Sequence, residues 1–210
     1  DHKRAFYGDK GPNTGGMGAY SPTPLSTNDI ICKTEQKIVQ PILKAMNDKK
    51  HPYKGFLYVG IMIVDNEPYV IEFNVRMGDP ESQVVIPLMN SSLYDLINDC
   101  LDGNLLNHKL TISKKTAVVV VVAAKGYPDK YKKGMIIHGI NKIEDEIVFH
   151  AGTKIINNNI VSIGGRVLNV VGFGDDLESA INNAYKLVNQ ISFDQKFFRK
   201  DIGQKGLSYK

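Results

Sequence analysis

The stretch Gly55-Phe-Leu-Tyr-Val-Gly-Ile-Met-Ile-Val64, the turn Asp65-Asn-Glu67 and the run Pro68-Tyr-Val-Ile-Glu-Phe-Asn-Val-Arg-Met-Gly-Asp-Pro-Glu81 decide the fold. Two segments rich in β-branched and aromatic residues flank a short polar turn, which is a β-hairpin signal. Side chains alternate faces along a strand, so Val70, Glu72 and Asn74 are expected on one face and Ile71, Phe73 and Val75 on the other. A carboxylate and an amide oxygen projecting together are hard ligands suited to Mg²⁺ or Mn²⁺. Arg76 continues the alternation if the strand persists, and a guanidinium beside a metal-bound nucleotide would neutralise charge on a transferring phosphoryl group. A half-solvated antiparallel strand gives the same alternation without any chemistry.

Upstream lies Asp9-Lys-Gly-Pro-Asn-Thr-Gly-Gly-Met-Gly-Ala-Tyr20. Gly8, Gly11, Gly15, Gly16 and Gly18 permit positive φ and close approach of a ligand to the backbone. Consecutive N–H groups in such a turn suit phosphate or carboxylate, with Asp9, Lys10, Asn13 and Thr14 as orienting side chains. An ordinary surface turn uses the same residues. A Walker loop is excluded, because Met17 and Gly18 stand where that motif needs Lys and Ser/Thr.

These stretches, with Asp1-His-Lys-Arg-Ala-Phe6, Phe149-His-Ala-Gly-Thr-Lys154, Gly164-Gly-Arg-Val-Leu168 and Arg199-Lys-Asp-Ile-Gly203 in that order, resemble the ATP-grasp ligases of purine synthesis, and among them the phosphoribosylamine–glycine ligase family. The resemblance implies an α+β chain: the carboxy-terminal part of an ATP-grasp domain, an antiparallel sheet with helices, followed by a small β-rich carboxy-terminal domain. It implies ATP-dependent joining of glycine to 5-phosphoribosylamine through glycyl phosphate, with Mg²⁺ or Mn²⁺ as cofactor and ATP as co-substrate. Glu72 and Asn74 would then hold the metal and Arg76 would be catalytic. Lys3, Asp9, Asn13, Thr14, Gly15, Gly16, Asp79 and Arg166 would bind substrate. Arg166 would take the 5-phosphate, since Arg suits bidentate phosphate contact; a strand-opening Arg after a Gly-Gly turn accounts for it equally. Many grasp enzymes supply another acid from the preceding strand, but residues 56–64 contain none, so two protein ligands are expected.

The resemblance covers the whole chain but only about the back half of a family member. The amino-terminal domain and the small ATP-covering lobe are expected ahead of it, which makes the chain a fragment inactive on its own. The alternative is a non-catalytic substrate-binding or interaction module.

A length of 210 residues allows one large or two small domains. The polar stretch 104–115 suggests a boundary, giving 1–112 as the grasp portion and 113–210 as the β-rich domain. Ala117-Val-Val-Val-Val-Val-Ala-Ala124 is far short of the ~18 residues of a membrane span and reads as a buried strand. Further strands are expected at 134–138, 147–150, 152–156, 160–163 and 166–173. Helices are expected from a Ser26 or Thr27 cap, kinked or split at Pro41; from Asp79-Pro80-Glu81; from Ser92 to a Gly103 stop; and from Asp176 to about Ile191. Cys32 and Cys100 have no metal or redox spacing and read as reduced thiols. The net charge of +4 is scattered, so no nucleic-acid footprint is implied. A cytoplasmic monomer with small-molecule partners and no membrane partner is expected.

Overall fold

The computed structural model describes residues 1–142 and 147–209. Its first half runs β1 (Arg4–Phe6), β2 (Lys10–Asn13), β3 (Gly18–Ser21), α1 (Asn28–Thr34), α2 (Gln40–Asp48), β4 (Tyr58–Val64), β5 (Glu67–Asn74), α3 (Ser82–Val85) and α4 (Leu93–Asp102). Its second half runs β6 (Thr116–Ala124), β7 (Ile147–His150), β8 (Thr153–Ile156), β9 (Asn159–Ser162), β10 (Arg166–Gly174), α5 (Leu177–Gln190), β11 (Lys196–Phe197) and α6 (Gln204–Leu207). The chain forms two compact units, one of residues 1–22, 79–88 and 113–210, the other of residues 23–78 and 89–112.

The first unit is built on β6. Its apolar run lacks polar alternation because both faces are covered, as in a central strand. Val118, Val120 and Val122 pack with Leu168, Val170, Ile181, Ala184 and Val188 in one core cluster. Ala117 and Val119 pack on the other face with Ala19, Val84, Leu88 and Val171. Antiparallel β10 lines one edge of β6 and carries β7 beyond it. The other edge is shared by β3, which pairs residues 117–120, and β11, which pairs residues 123–124. The 14-residue α5 lies on β6 and β10 and is capped by Asp176, whose carboxylate accepts from Ser179 N–H while the Ser179 side chain returns to the cap backbone. A Cβ on Gly172 would fall 2.1 Å from Ala184 N, so glycine lets the helix seat directly on β10.

The second unit holds the hairpin. Asp65 and Asn66 both have positive φ (50° and 60°), giving a two-residue turn whose twist matches the strands. Of the two cap residues the sequence offers, Ser26 and Thr27, it is Thr27 that caps α1, accepting from Ile30 N–H. Pro41 lacks an N–H, and the helix splits there by widening: residues 35–39 form a π turn in which Gln40 N–H reaches Glu35 O. Ser92 caps α4 and Gly103 closes it in the left-handed region.

Two expected elements differ. Residues 134–138 make only isolated bridges, Ile136 with Val161 and His138 with Ser192, between Gly134 and Gly139 at φ 81° and 92°. The helix expected from Asp79-Pro80 begins instead at Ser82, because the Asp79 carboxylate is bound elsewhere.

Candidate functional site

On the hairpin, Glu72 stands opposite Gly60 and Asn74 opposite Tyr58, so the two side chains share a face of β5. A Cβ on Gly60 would lie 3.0 Å from Glu72 Cγ; the absent side chain leaves the space the carboxylate stem uses. This cradle and the carboxylate–amide pair fit a hard divalent cation. The described residues contain no group of three or more His, Cys, Asp or Glu poised around an ion, so any metal here would draw its remaining oxygens from water or ligand phosphate.

Two details depart from the expected alternation. Gly60 pairs Glu72 but Ile61 pairs Val70, which leaves Ile71 as a bulge residue and turns Val70 to the opposite face from Glu72. The strand also ends at Asn74, so Arg76 lies past the ladder, exposed, with Nη1 donating to Met77 O at 2.9 Å. A cavity of about 190 Å³ in the same unit is lined by Phe56, Leu96, Ile97, Cys100, Leu101 and Leu105. It is apolar and contains none of Glu72, Asn74 and Arg76.

In the first unit the glycine-rich segment is a tied loop, not an open nest of amides. Thr14 N–H donates to Lys3 O, Met17 N–H to His2 O, Gly16 N–H to Thr14 Oγ1 (3.0 Å) and Gly15 N–H to Tyr127 Oη (3.1 Å). Thr14 Oγ1 itself donates to Lys3 O at 2.8 Å. The expected bare N–H groups at 14–17 are therefore already bonded within the protein. Asn13 is exposed at the end of β2.

The side chain brought to the loop is Arg166, at the start of β10. Its Nη1 donates to Gly15 O (2.9 Å), Asp79 O (3.0 Å) and Asp79 Oδ1 (3.2 Å), and its Nη2 donates to Asp79 Oδ2 (3.0 Å). The guanidinium lies against Gly15, where a Cβ would come 3.0 Å from Cζ, and a Cβ on Gly16 would meet Pro80 Cδ at 2.4 Å. Both glycines are thus explained by neighbours distant in sequence.

Asp9 faces a different cluster. It pairs with Lys205 and, at 2.9 Å, with Arg199 Nη1. Lys205, then Arg199, holds its carboxyl below the usual range. Arg199 is wholly buried and also forks onto Asp201, Nε to Oδ1 at 2.9 Å and Nη2 to Oδ2 at 2.7 Å. Sequence reasoning assigned no role to Tyr127 or to the buried side of Arg199; the motifs around them, Gly126-Tyr-Pro128 and Arg199-Lys-Asp201, were the available signals.

Residues 1–82 match the phosphoribosylglycinamide synthetase ATP-grasp (A) domain and residues 117–205 match the phosphoribosylglycinamide synthetase C domain. The chain belongs to the phosphoribosylglycinamide synthetase family. It is 46% identical to the phosphoribosylamine–glycine ligase of Ralstonia nicotianae over 99% of this chain and 50% of that protein. It is 44% identical to the trifunctional purine biosynthetic protein adenosine-3 of Homo sapiens over 100% of this chain and 21% of that one. The crystal structure of the Thermotoga maritima phosphoribosylamine–glycine ligase superposes with a TM-score of 0.87 at 37% identity, over 96% of this chain and 50% of that one. The urea carboxylase of Kluyveromyces lactis, at 15% identity and TM-score 0.61, shares the fold alone. The synthetase-family chain thus spans about half the length, or less, of the curated relatives it matches.

Within this family the fold is the expected one: helices with antiparallel sheet of the ATP-grasp type, followed by a β-rich carboxy-terminal portion. No helix among the described residues is long and apolar enough to cross a membrane.

Proposed function

We propose that this chain is the carboxy-terminal half of an ATP-dependent ligase that joins glycine to 5-phosphoribosylamine. The observation that carries the reading is Glu72 and Asn74 on one face of β5 with Gly60 making room for the carboxylate, in a chain matched in order by both synthetase domains. In this reading residues 1–112 belong to the grasp domain and 113–210 to the carboxy-terminal domain, and the protein is a cytoplasmic monomer.

The glycine carboxylate attacks the γ-phosphorus of ATP, ADP leaves, and glycyl phosphate forms. The amine of phosphoribosylamine then attacks the acyl carbon, phosphate leaves with the C–O bond electrons, and the amine loses a proton to give glycinamide ribonucleotide. Glu72 and Asn74 would hold Mg²⁺ or Mn²⁺, which when bound screens the phosphate charge. Arg76, exposed beyond the strand, is assigned to the transferring phosphoryl group. Arg166 is assigned to the 5-phosphate, and the loop of Asn13, Thr14, Gly15 and Gly16, together with Lys3, is assigned to glycine and the acyl phosphate. Asp9 and Asp79 serve that loop through their ion pairs. Keeping water from glycyl phosphate demands a closed site.

The test is glycine-dependent ADP formation by the full-length enzyme carrying Glu72→Ala. Activity is expected to fall by at least a hundredfold, the scale of losing a group that stabilises transition-state charge. Near-normal turnover at saturating Mn²⁺ would sink the assignment.

A further inference from the structure

Gly15 is gripped at both ends. Its N–H donates to Tyr127 Oη at 3.1 Å, and its carbonyl accepts from Arg166 Nη1 at 2.9 Å. Each grip leaves a hydrogen unused. Because the Tyr127 hydroxyl acts as acceptor towards Gly15, its own O–H is still available, and it meets no acceptor among the described residues. Arg166 commits Nη1 to Gly15 and Asp79 and one Nη2 hydrogen to Asp79, while Nε–H and the second Nη2 hydrogen are unbonded among the described residues.

Both donors are held on a stiff frame. The Tyr127 ring lies in the gap left by Gly165, where a Cβ would fall 2.2 Å from Tyr127 Cδ2, and it meets the Tyr131 ring edge-on at 6.3 Å. The guanidinium is fixed in plane by the end-on Asp79 carboxylate and flat against Gly15. Orienting both groups in advance removes the ordering cost that a ligand would otherwise meet.

We infer that Tyr127 is a second phosphate contact: its hydroxyl and Arg166 Nε–H donate to the oxygens of one phosphomonoester beside Gly15, with Asp79 as the positioning residue for the guanidinium. This rests on the assignment of Arg166 to the 5-phosphate of the ribosylamine substrate. A phenol O–H donating to an ionised phosphate oxygen makes a charge-assisted hydrogen bond, roughly twice as strong as one between neutral groups.

The experiment measures ribose 5-phosphate as a competitive inhibitor of the full-length enzyme, alongside KM for ATP and glycine, in Tyr127→Phe and Arg166→Met. Phe keeps the ring in the Gly165 gap and removes only the hydroxyl. The expected result is a rise of about tenfold in the inhibition constant for Tyr127→Phe, the scale of a hydrogen bond to a charged group, with both KM values within twofold. The Tyr127→Phe effect should also shrink when Arg166→Met is already present, since the two donors share one anion. If Arg166→Met weakens ribose 5-phosphate and Tyr127→Phe does not, the hydroxyl contact is wrong and the Arg166 assignment survives. If Tyr127→Phe raises the ATP or glycine KM as much as the inhibition constant, the hydroxyl only props the loop and the inference fails. If neither variant weakens ribose 5-phosphate, the Arg166 assignment falls and takes the inference with it.

Discussion

Arg166 meets Asp79 end-on, Nη2 to Oδ2 at 3.0 Å and Nη1 to Oδ1 at 3.2 Å, while the same Nη1 reaches the carbonyls of Gly15 and Asp79. One planar fork thereby joins the glycine-rich loop, the turn at Pro80 and the start of β10.

A lysine cannot reproduce that fork, since a single ammonium has no planar pair of donors to match a carboxylate. Arg166→Lys in the full-length enzyme is expected to raise the ribose 5-phosphate inhibition constant at least tenfold. Thermal stability should change little, because the Asp79 side chain is half-exposed and such pairs contribute about 1 kcal/mol or less. That corresponds to a loss of about 2–4 °C in Tm. A loss above 10 °C would make Arg166 a structural residue first.

Gly60 offers a test of the hairpin that leaves both proposed ligands, Glu72 and Asn74, in the sequence. Its φ lies outside the left-handed region, so alanine suits its backbone, but the new Cβ would sit 3.0 Å from Glu72 Cγ. Gly60→Ala should therefore leave Tm unchanged or slightly raised, since alanine restricts the unfolded chain. The Mg²⁺ concentration for half-maximal activity should rise several-fold as Glu72 is pushed aside. Unchanged metal dependence would show that Glu72 does not need the space.

How much of this was legible beforehand depends on the range of the interaction. The β6 run, the Asp176 capping box and the Gly103 stop are local patterns, and each appears where residue type alone places it. The Ile71 bulge is invisible to a two-residue period, because an inserted residue looks like the next member of the alternation. The tied state of the glycine loop depends on Tyr127 and Arg166, more than a hundred positions away, and no local pattern carries them. The glycines were rightly read as sites of close approach, but what approaches Gly15 and Gly16 here is the protein's own Arg166 and Pro80.

Arg199 supplies the largest expected stability effect. It is 1% exposed and holds Asp9, Asp201 and the carbonyl of Arg4. Replacing it by Met leaves Asp201 buried, and Asp9 partly so, without their shared cation, and breaking a buried pair in this way costs about 3–5 kcal/mol. Urea unfolding followed by fluorescence should show a markedly lower midpoint or an insoluble product. A shift equivalent to less than 1 kcal/mol would mean that the cluster relaxes into solvent.

The same cluster makes the protein acid-sensitive in two stages. His2 is buried, accepts from Gly203 N–H through Nε2, and is pushed down to about 4, chiefly by burial. Below about 6.5 the unfolded chain takes up a proton at this histidine that the folded chain refuses. Stability therefore falls from pH 6.5 towards 4. The second stage comes from Asp9, held low by Lys205 and Arg199, and from Asp201, which burial pushes up but the Arg199 fork brings below its usual value. Their contribution is complete above the ordinary carboxylate range and is lost as pH drops through their depressed folded values. Tm measured from pH 7.5 to 3.5 should decline beginning near 6.5 and then more steeply below about 4. His2→Gln should flatten the first stage and leave the second. An imidazole that titrates near 6.5 by NMR in the folded protein, with a flat Tm between pH 7 and 5, would show that His2 is open to solvent protons.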